Sequence, residues 1–293
     1  MAARRKRDRQ RRRRGRFGFL YKLLSVLIVF AAILVGCVVF FRVNQVTVTG
    51  NHRYSDAQII DASGVKQGDN LLLVNKPQTV RSIAKRLPYV KSVTPVRLLP
   101  DTLELRIVES VAVARLQDEV SWWLVDDRGK LLETGTADLE AHLPQIMGLR
   151  TVTASLGAMM AVELEEQVKL EGMTGLLSAL TKRGMAEGVT SFIDLSGSNV
   201  IYFDYGPRLT VAVPMSGDFD RRVFSLQRVI EVFGEQGEEV VGTLDLTYGD
   251  DQARLLPDRW LPESLRPIPE PTVDPEPAET DAPEGDGEPA AEG

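Results

Sequence analysis

Nineteen consecutive uncharged residues at positions 23–41, LLSVLIVFAAILVGCVVFF, constrain this chain more than any other feature. At about 1.5 Å of rise per residue such a run is roughly 28 Å long as a helix, close to the thickness of a bilayer's hydrocarbon core. Residues 1–16 carry ten Arg or Lys against one Asp, whereas Arg42 is nearly alone on the other side. The positive-inside bias therefore keeps the N-terminus cytoplasmic and exports everything that follows. A cleaved signal peptide would have a shorter apolar core ending in small residues; GCVVFF at 36–41 is bulky, so the run reads as a retained, single-pass type II anchor in the cell membrane. The arginines beside it read as a topology signal attracted to anionic membrane lipid, not as a nucleic-acid arm.

The formal net charge is −6, and the +9 of residues 1–16 leaves −15 for the remainder. Part of that excess lies in the tail. From Pro257 onward nine of the sixteen prolines occur among Glu, Asp, Ala and Gly, a composition that buries too little apolar surface to offset the entropy of ordering. The one cysteine, Cys37, lies inside the apolar run, so the exported part has no disulfide or thiolate metal site and its fold rests on packing.

Behind the anchor, VTVTGNHRYS at 46–55 alternates Val46 and Val48 with Thr47 and Thr49, the pattern of a half-buried strand. Ser55 and Gln58 form a capping box and Tyr54 can staple onto Ile59, so a helix starts at Asp56, with Gly64 placed to end it. A second helix signal, Asn75-Lys76-Pro77-Gln78, precedes Val80, Ile83, Ala84 and Leu87 at helical spacing. Two strands follow, at 89–98 and from Leu103, around the turn Leu99-Pro100-Asp101-Thr102, and Pro95 marks an edge or a bulge in the first. The element order is strand, helix, helix, strand, strand.

The run from VNQVTVTGNHRYS through GVKQGDNLLLV to LPYVKSVTPVRLLPDTLELRIVE resembles the POTRA domain of the FtsQ/DivIB cell-division family. The likeness covers most of the chain and implies an α+β protein. It has a basic cytoplasmic tail at 1–19, a transmembrane helix at 20–42, a POTRA domain at 43–110, a mixed α/β "β domain" at 111–257 and a disordered acidic tail at 258–293. In the second domain SWWLVDDRGKLLETG reads as a hairpin turning at residues 127–130. Residues 163–182 read as a weak helix interrupted by Gly172 and Gly175; SFIDL, VIYFDY and RLTVAV form a meander; and Phe219, Val223, Leu226, Ile230 and Phe233 mark a helix closed by Gly234. Two short strands surround Tyr248-Gly249-Asp250-Asp251.

Catalytic chemistry has few footholds. Ser82-Ile83-Ala84-Lys85 matches S-x-x-K, but neither K-T-G nor S-x-N accompanies it, so a cell-wall hydrolase or transferase using Ser82 and Lys85 is the alternative to a scaffold. His52 and His142 stand at no metal-ligand spacing, Asp126-Asp127 and Asp250-Asp251 read as turn acids, and no cofactor or phosphate loop is legible. The chain also lacks the many strands of an outer-membrane barrel, the other setting for POTRA modules.

The resemblance implies a non-enzymatic divisome scaffold required for septum formation, whose partners are other single-pass division proteins of the FtsL and FtsB/DivIC type. It places the contact on the last strands of the β domain, here Leu244, Leu246, Thr247, Tyr248 and Leu255. The topology is directly testable: a reporter active only outside the cytoplasm is expected to work when fused after Leu256. Activity confined to a cytoplasmic reporter at that position would overturn the orientation.

Overall fold

The computed structural model describes residues 15–118, 121–249 and 252–266. The basic cluster at 1–14, the pair Asp250-Asp251 and the proline-rich stretch from 267 onward lie outside the described residues. Helix α1, Gly15–Phe40, contains the one span among the described residues that is long and apolar enough to cross a membrane, Gly18–Cys37. Beyond Trp260 a separate unit contains a short 3-10 turn at Glu263–Leu265.

The first module consists of β1 (Gln45–Thr49), α2 (Asp56–Ser63), α3 (Lys76–Arg86), β2 (Val90–Leu98) and β3 (Thr102–Glu109). Its sheet order is β1-β3-β2, with β1 parallel and β2 antiparallel to the central β3. The start of α2 follows from its cap: Ser55 accepts from the Gln58 amide while the Gln58 side chain accepts from the Ser55 amide, and Gly64 ends the helix in the left-handed region at φ 70°. Asn75 caps α3 in the same way, by accepting from the Gln78 amide. Ile59, Leu71, Ile83, Leu103 and Leu105 are fully buried between the helices and the sheet. Pro95 lies on an edge strand, where its missing N–H costs no ladder bond, and the bulge in β2 falls instead between Val90 and Ser92.

The second module is a nine-stranded mixed sheet in the order β12-β11-β10-β9-β8-β7-β4-β5-β6. Its strands are β4 (Ala114–Gln117), β5 (Trp122–Val125), β6 (Leu131–Gly135), β7 (Gln145–Met147), β8 (Val189–Asp194), β9 (Val200–Tyr205), β10 (Leu209–Pro214), β11 (Gly242–Asp245) and β12 (Arg254–Leu256). Helices α4 (Gln167–Lys182) and α5 (Phe219–Glu235) contribute Met173, Leu176, Leu180, Val223 and Leu226 to one core with Ile193, Phe203 and Val211 of the sheet. The hairpin and the meander are where the alternation places them.

Three details differ from the sequence reading. Helix α4 runs unbroken through Gly172 and Gly175. These glycines serve close approach: a Cβ on Gly175 would sit 2.7 Å from the Phe219 ring, and one on Gly172 would strike the Met215 carbonyl. Helix α5 continues past Gly234 to Glu235, and Gly237, at φ 71°, supplies the left-handed turn after it. Strand β7 carries only three residues, too few for alternation to register, yet it joins β4 to β8 through two parallel pairings.

The capping box sets a measurable expectation. Ser55→Ala should cost on the order of 1 kcal/mol in urea unfolding and Ser55→Asp much less, because an aspartate can accept the same Gln58 amide. Equal stability of all three forms would show that the cap does not hold α2.

Candidate partner-binding edge

The last two strands determine what the sheet presents to solvent. Strand β11 is not an edge: it pairs parallel with β10 and antiparallel with β12. The Gly242 amide donates to the Arg208 carbonyl at 3.1 Å and the Leu246 amide to Ala212 at 2.9 Å. Backbone groups alternate in direction along a strand. Gly242, Leu244 and Leu246 therefore face β10, and Thr243 and Asp245 face β12. Their partners on β12 are Leu256 and Arg254, so the N–H and C=O of Leu255, between them, point to the side where no further strand lies among the described residues.

The side chains divide accordingly. Leu244 and Leu246 are each 1% exposed and belong to the main core, so their side chains are not available at the surface. Tyr248 is 54% exposed and Leu255, opposite Leu244, is 38% exposed. The Thr247 amide is committed, donating at 2.8 Å to Asp245 Oδ1, which also accepts from the Thr247 hydroxyl at 2.7 Å. Arg222, buried on α5, fixes the turn that carries Tyr248 by donating to the carbonyls of Leu246, at 2.7 Å, and Gly249.

Behind β12 the chain crosses the sheet face opposite the helices. Thr243 Oγ1 donates to the Asp258 carbonyl and accepts from the Trp260 amide. The Trp260 indole stacks on Tyr202 with centroids 3.9 Å apart, and Arg259 pairs with the buried carboxylate of Asp204. Burial, with Asp245 and Asp194 nearby, pushes the Tyr202 phenol above its usual range and keeps it neutral. This packing holds residues 257–260 down and leaves Arg254–Leu256 as the exposed rim.

A second cluster joins the modules, and sequence reasoning missed it. Asp126 is fully buried; its carboxylate accepts from Ser110 Oγ at 2.8 Å and from the amides of Arg128 and Lys130, both at 2.9 Å. Lys91 Nζ pairs with Asp127 at 2.7 Å, and the buried Lys130 Nζ donates to the Val90 carbonyl at 2.9 Å. Burial lowers the Lys130 ammonium from its ordinary value, and Asp126 opposes that shift. Nearby, Tyr89 donates to Glu133 at 2.6 Å and Arg53 lies 3.7 Å above the Tyr89 ring while pairing with Glu133. Tyr89, Leu124 and Leu132 form a small apolar core beside these charges. The acids at 126–127 do sit in a turn, but as buried members of this joint. Their distant partners, Ser110 and Lys91, lie 16 and 36 residues away, beyond the reach of any local pattern.

The remaining candidates are accounted for locally. The Ser82 hydroxyl donates to the Ala62 carbonyl at 2.7 Å, tying α3 to α2, and Lys85 is solvent-exposed. The backbone of His52 donates to Glu109, and the His142 ring lies 3.3 Å from Glu140. Among the described residues no group of three or more His, Cys, Asp or Glu could hold a metal ion.

Residues 41–110 match the model of the POTRA domain, FtsQ-type. The chain is similar to the cell division protein FtsQ of an Anaeromyxobacter species, 27% identical over 67% of this chain and 65% of the relative. It is 32% identical to FtsQ of Corynebacterium glutamicum over 39% of this chain and 52% of the relative. The cell division protein DivIB of Clostridium botulinum is 24% identical over 47% and 54%. The chain thus spans about half to two thirds of the length of these curated relatives. With a strand-helix-helix-strand-strand module at the matched residues, the chain carries a POTRA domain of the FtsQ type and is similar to the cell division proteins FtsQ and DivIB of several bacteria.

Proposed function

We propose that the protein is a membrane-anchored, non-enzymatic scaffold of the division machinery, exporting its POTRA and β modules to recruit and stabilise other single-pass division proteins. The observation that carries this reading is the rim of β12: an outward-facing backbone N–H and C=O at Leu255, flanked by the exposed Tyr248 and Leu255 side chains. A partner segment in extended conformation can add there as a further strand, with the backbone supplying affinity and the two side chains selectivity. The partner class is that of FtsL and FtsB/DivIC, single-pass proteins whose exported segments reach the same side of the membrane. Support for the anchor comes from α1 and from the basic excess before it, which also favours anionic lipid on the cytoplasmic face. Leu244 and Leu246 support the edge from beneath, as core residues, and Thr247 holds the turn shape.

A proline substitution separates these roles. Leu255→Pro removes the outward N–H while leaving the β11–β12 bonds in place, so capture of an FtsB/DivIC-type partner should fall about two- to twelvefold, the worth of one hydrogen bond of roughly 0.5–1.5 kcal/mol. Tyr248→Glu should also weaken capture, and circular dichroism of the full-length variants should match the parent. If both folded variants bind as the parent does, the partner does not use this rim.

A further inference from the structure

The segment that leaves α1 is gripped at once by two loops. The Leu71 amide donates to the Phe41 carbonyl and the Val43 amide to Asp69, each at 2.8 Å, and Arg42 bridges to Asn70. On the other side the Asn44 amide donates to the Asp101 carbonyl at 2.9 Å, and Gln45 pairs with Thr102. Arg97, near the end of β2, reaches back to the loop before α3 by donating to the Val74 carbonyl at 2.8 Å. The loop before α3 and the β2–β3 turn therefore lie one strand spacing, about 4.8 Å, from the residues at which the chain emerges from the apolar helix.

Those loops carry the module's exposed apolar surface. Among residues 43–110 five large apolar side chains are exposed: Leu72 at 40%, Leu73 at 75%, Leu98 at 45%, Leu99 at 63%, and Val108. Leu72, Leu73 and Leu99 are on the two loops and Leu98 is the last residue of β2 before the turn, although the fully buried Leu71 and Leu103 beside them show that the core had room for leucine at this end. The charge pattern suits a headgroup layer. Arg42 and Lys66 are exposed. The two acids there are engaged within the loops, with Asp69 accepting from the Lys66 amide at 2.8 Å and Asp101 from Asn44 Nδ2 at 3.1 Å.

We propose that Leu72, Leu73, Leu98 and Leu99 insert into the boundary between headgroups and acyl chains on the exported side of the membrane, seating the POTRA module on the bilayer beside its own anchor. This rests on the reading of α1 as a membrane span. Interfacial elements of this kind bury apolar residues about 5–10 Å into that boundary while basic residues meet the phosphates. The seat fixes the direction in which the module's strands leave the membrane, which a single flexible connection would not.

The single native cysteine supplies the control. The full chain is reconstituted in phosphatidylglycerol-containing vesicles whose acyl chains carry bromine, and an environment-sensitive fluorophore is attached at Cys37, or at Leu73→Cys, Leu99→Cys or Glu235→Cys in a Cys37→Ser background. Leu73, Leu99 and Glu235 are exposed, so none of these changes enters a core. The proposal predicts quenching and a blue-shifted emission at positions 73 and 99, weaker than at Cys37, with neither at 235. Quenching at Cys37 with none at 73 and 99 overturns it, whether those leucines face water or another protein. An unquenched Cys37 would overturn the span itself, and the seat with it.

Discussion

The parallel pairing of β1 with β3 is the constraint on which the rest of the molecule depends. Because the register runs from Gln45 against Thr102 to Thr49 against Arg106, one end of the sheet lies beside the residues leaving α1, and the other beside the residues entering the second module. A parallel pair needs a long crossover, which here is α2, α3 and β2, and these pack with Leu103, Leu105 and Ile107 of β3 in the module's core. The far end is shut by short-range forces. Glu109 accepts from the amides of His52, Arg53 and Tyr54, and at Gly50, at φ 82°, a Cβ would strike the Ile107 carbonyl. An alanine there would meet both a strained backbone and a blocked approach.

From that end the joint carries geometry onward. An isolated surface ion pair contributes little, but Asp126 and Lys130 are buried, and removing one partner would strand a charge or a polar group away from water, an outcome that costs several kcal/mol. The network thus couples the two modules through buried groups that depend on one another for their partners. Beyond it the nine-stranded sheet extends to β12, where α5, through Arg222, and the Tyr202–Trp260 stack hold the rim in place. Rigid support beneath a free edge limits the ordering entropy that the proposed partner strand would have to overcome.

Much of this was legible because it is local. The Ser55–Gln58 box, Asn75 before Pro77, the alternation in β3 and the spacing of Phe219, Val223 and Leu226 each contain their structural instruction within a few residues. What stayed hidden depends on distant partners. Gly172 and Gly175 resemble helix breakers until Met215 and Phe219 are seen against them, and Asp126-Asp127 resemble ordinary turn acids until Ser110 and Lys91 arrive. The alternation of Leu244, Leu246 and Tyr248, through β11 and past its end, is plain in sequence. It cannot tell an edge strand from an inner one, because that difference lies in β10 and β12 on either side.

Amide hydrogen exchange at Leu255 tests the central claim most directly, since it reads the backbone group on which strand addition depends. The Leu255 amide should exchange rapidly in the free full-length protein while those of Arg254 and Leu256, bonded to β11, are protected; binding of an FtsB/DivIC-type partner should then slow Leu255. A Leu255 amide already protected in the free protein, or unchanged in the complex, would contradict the account.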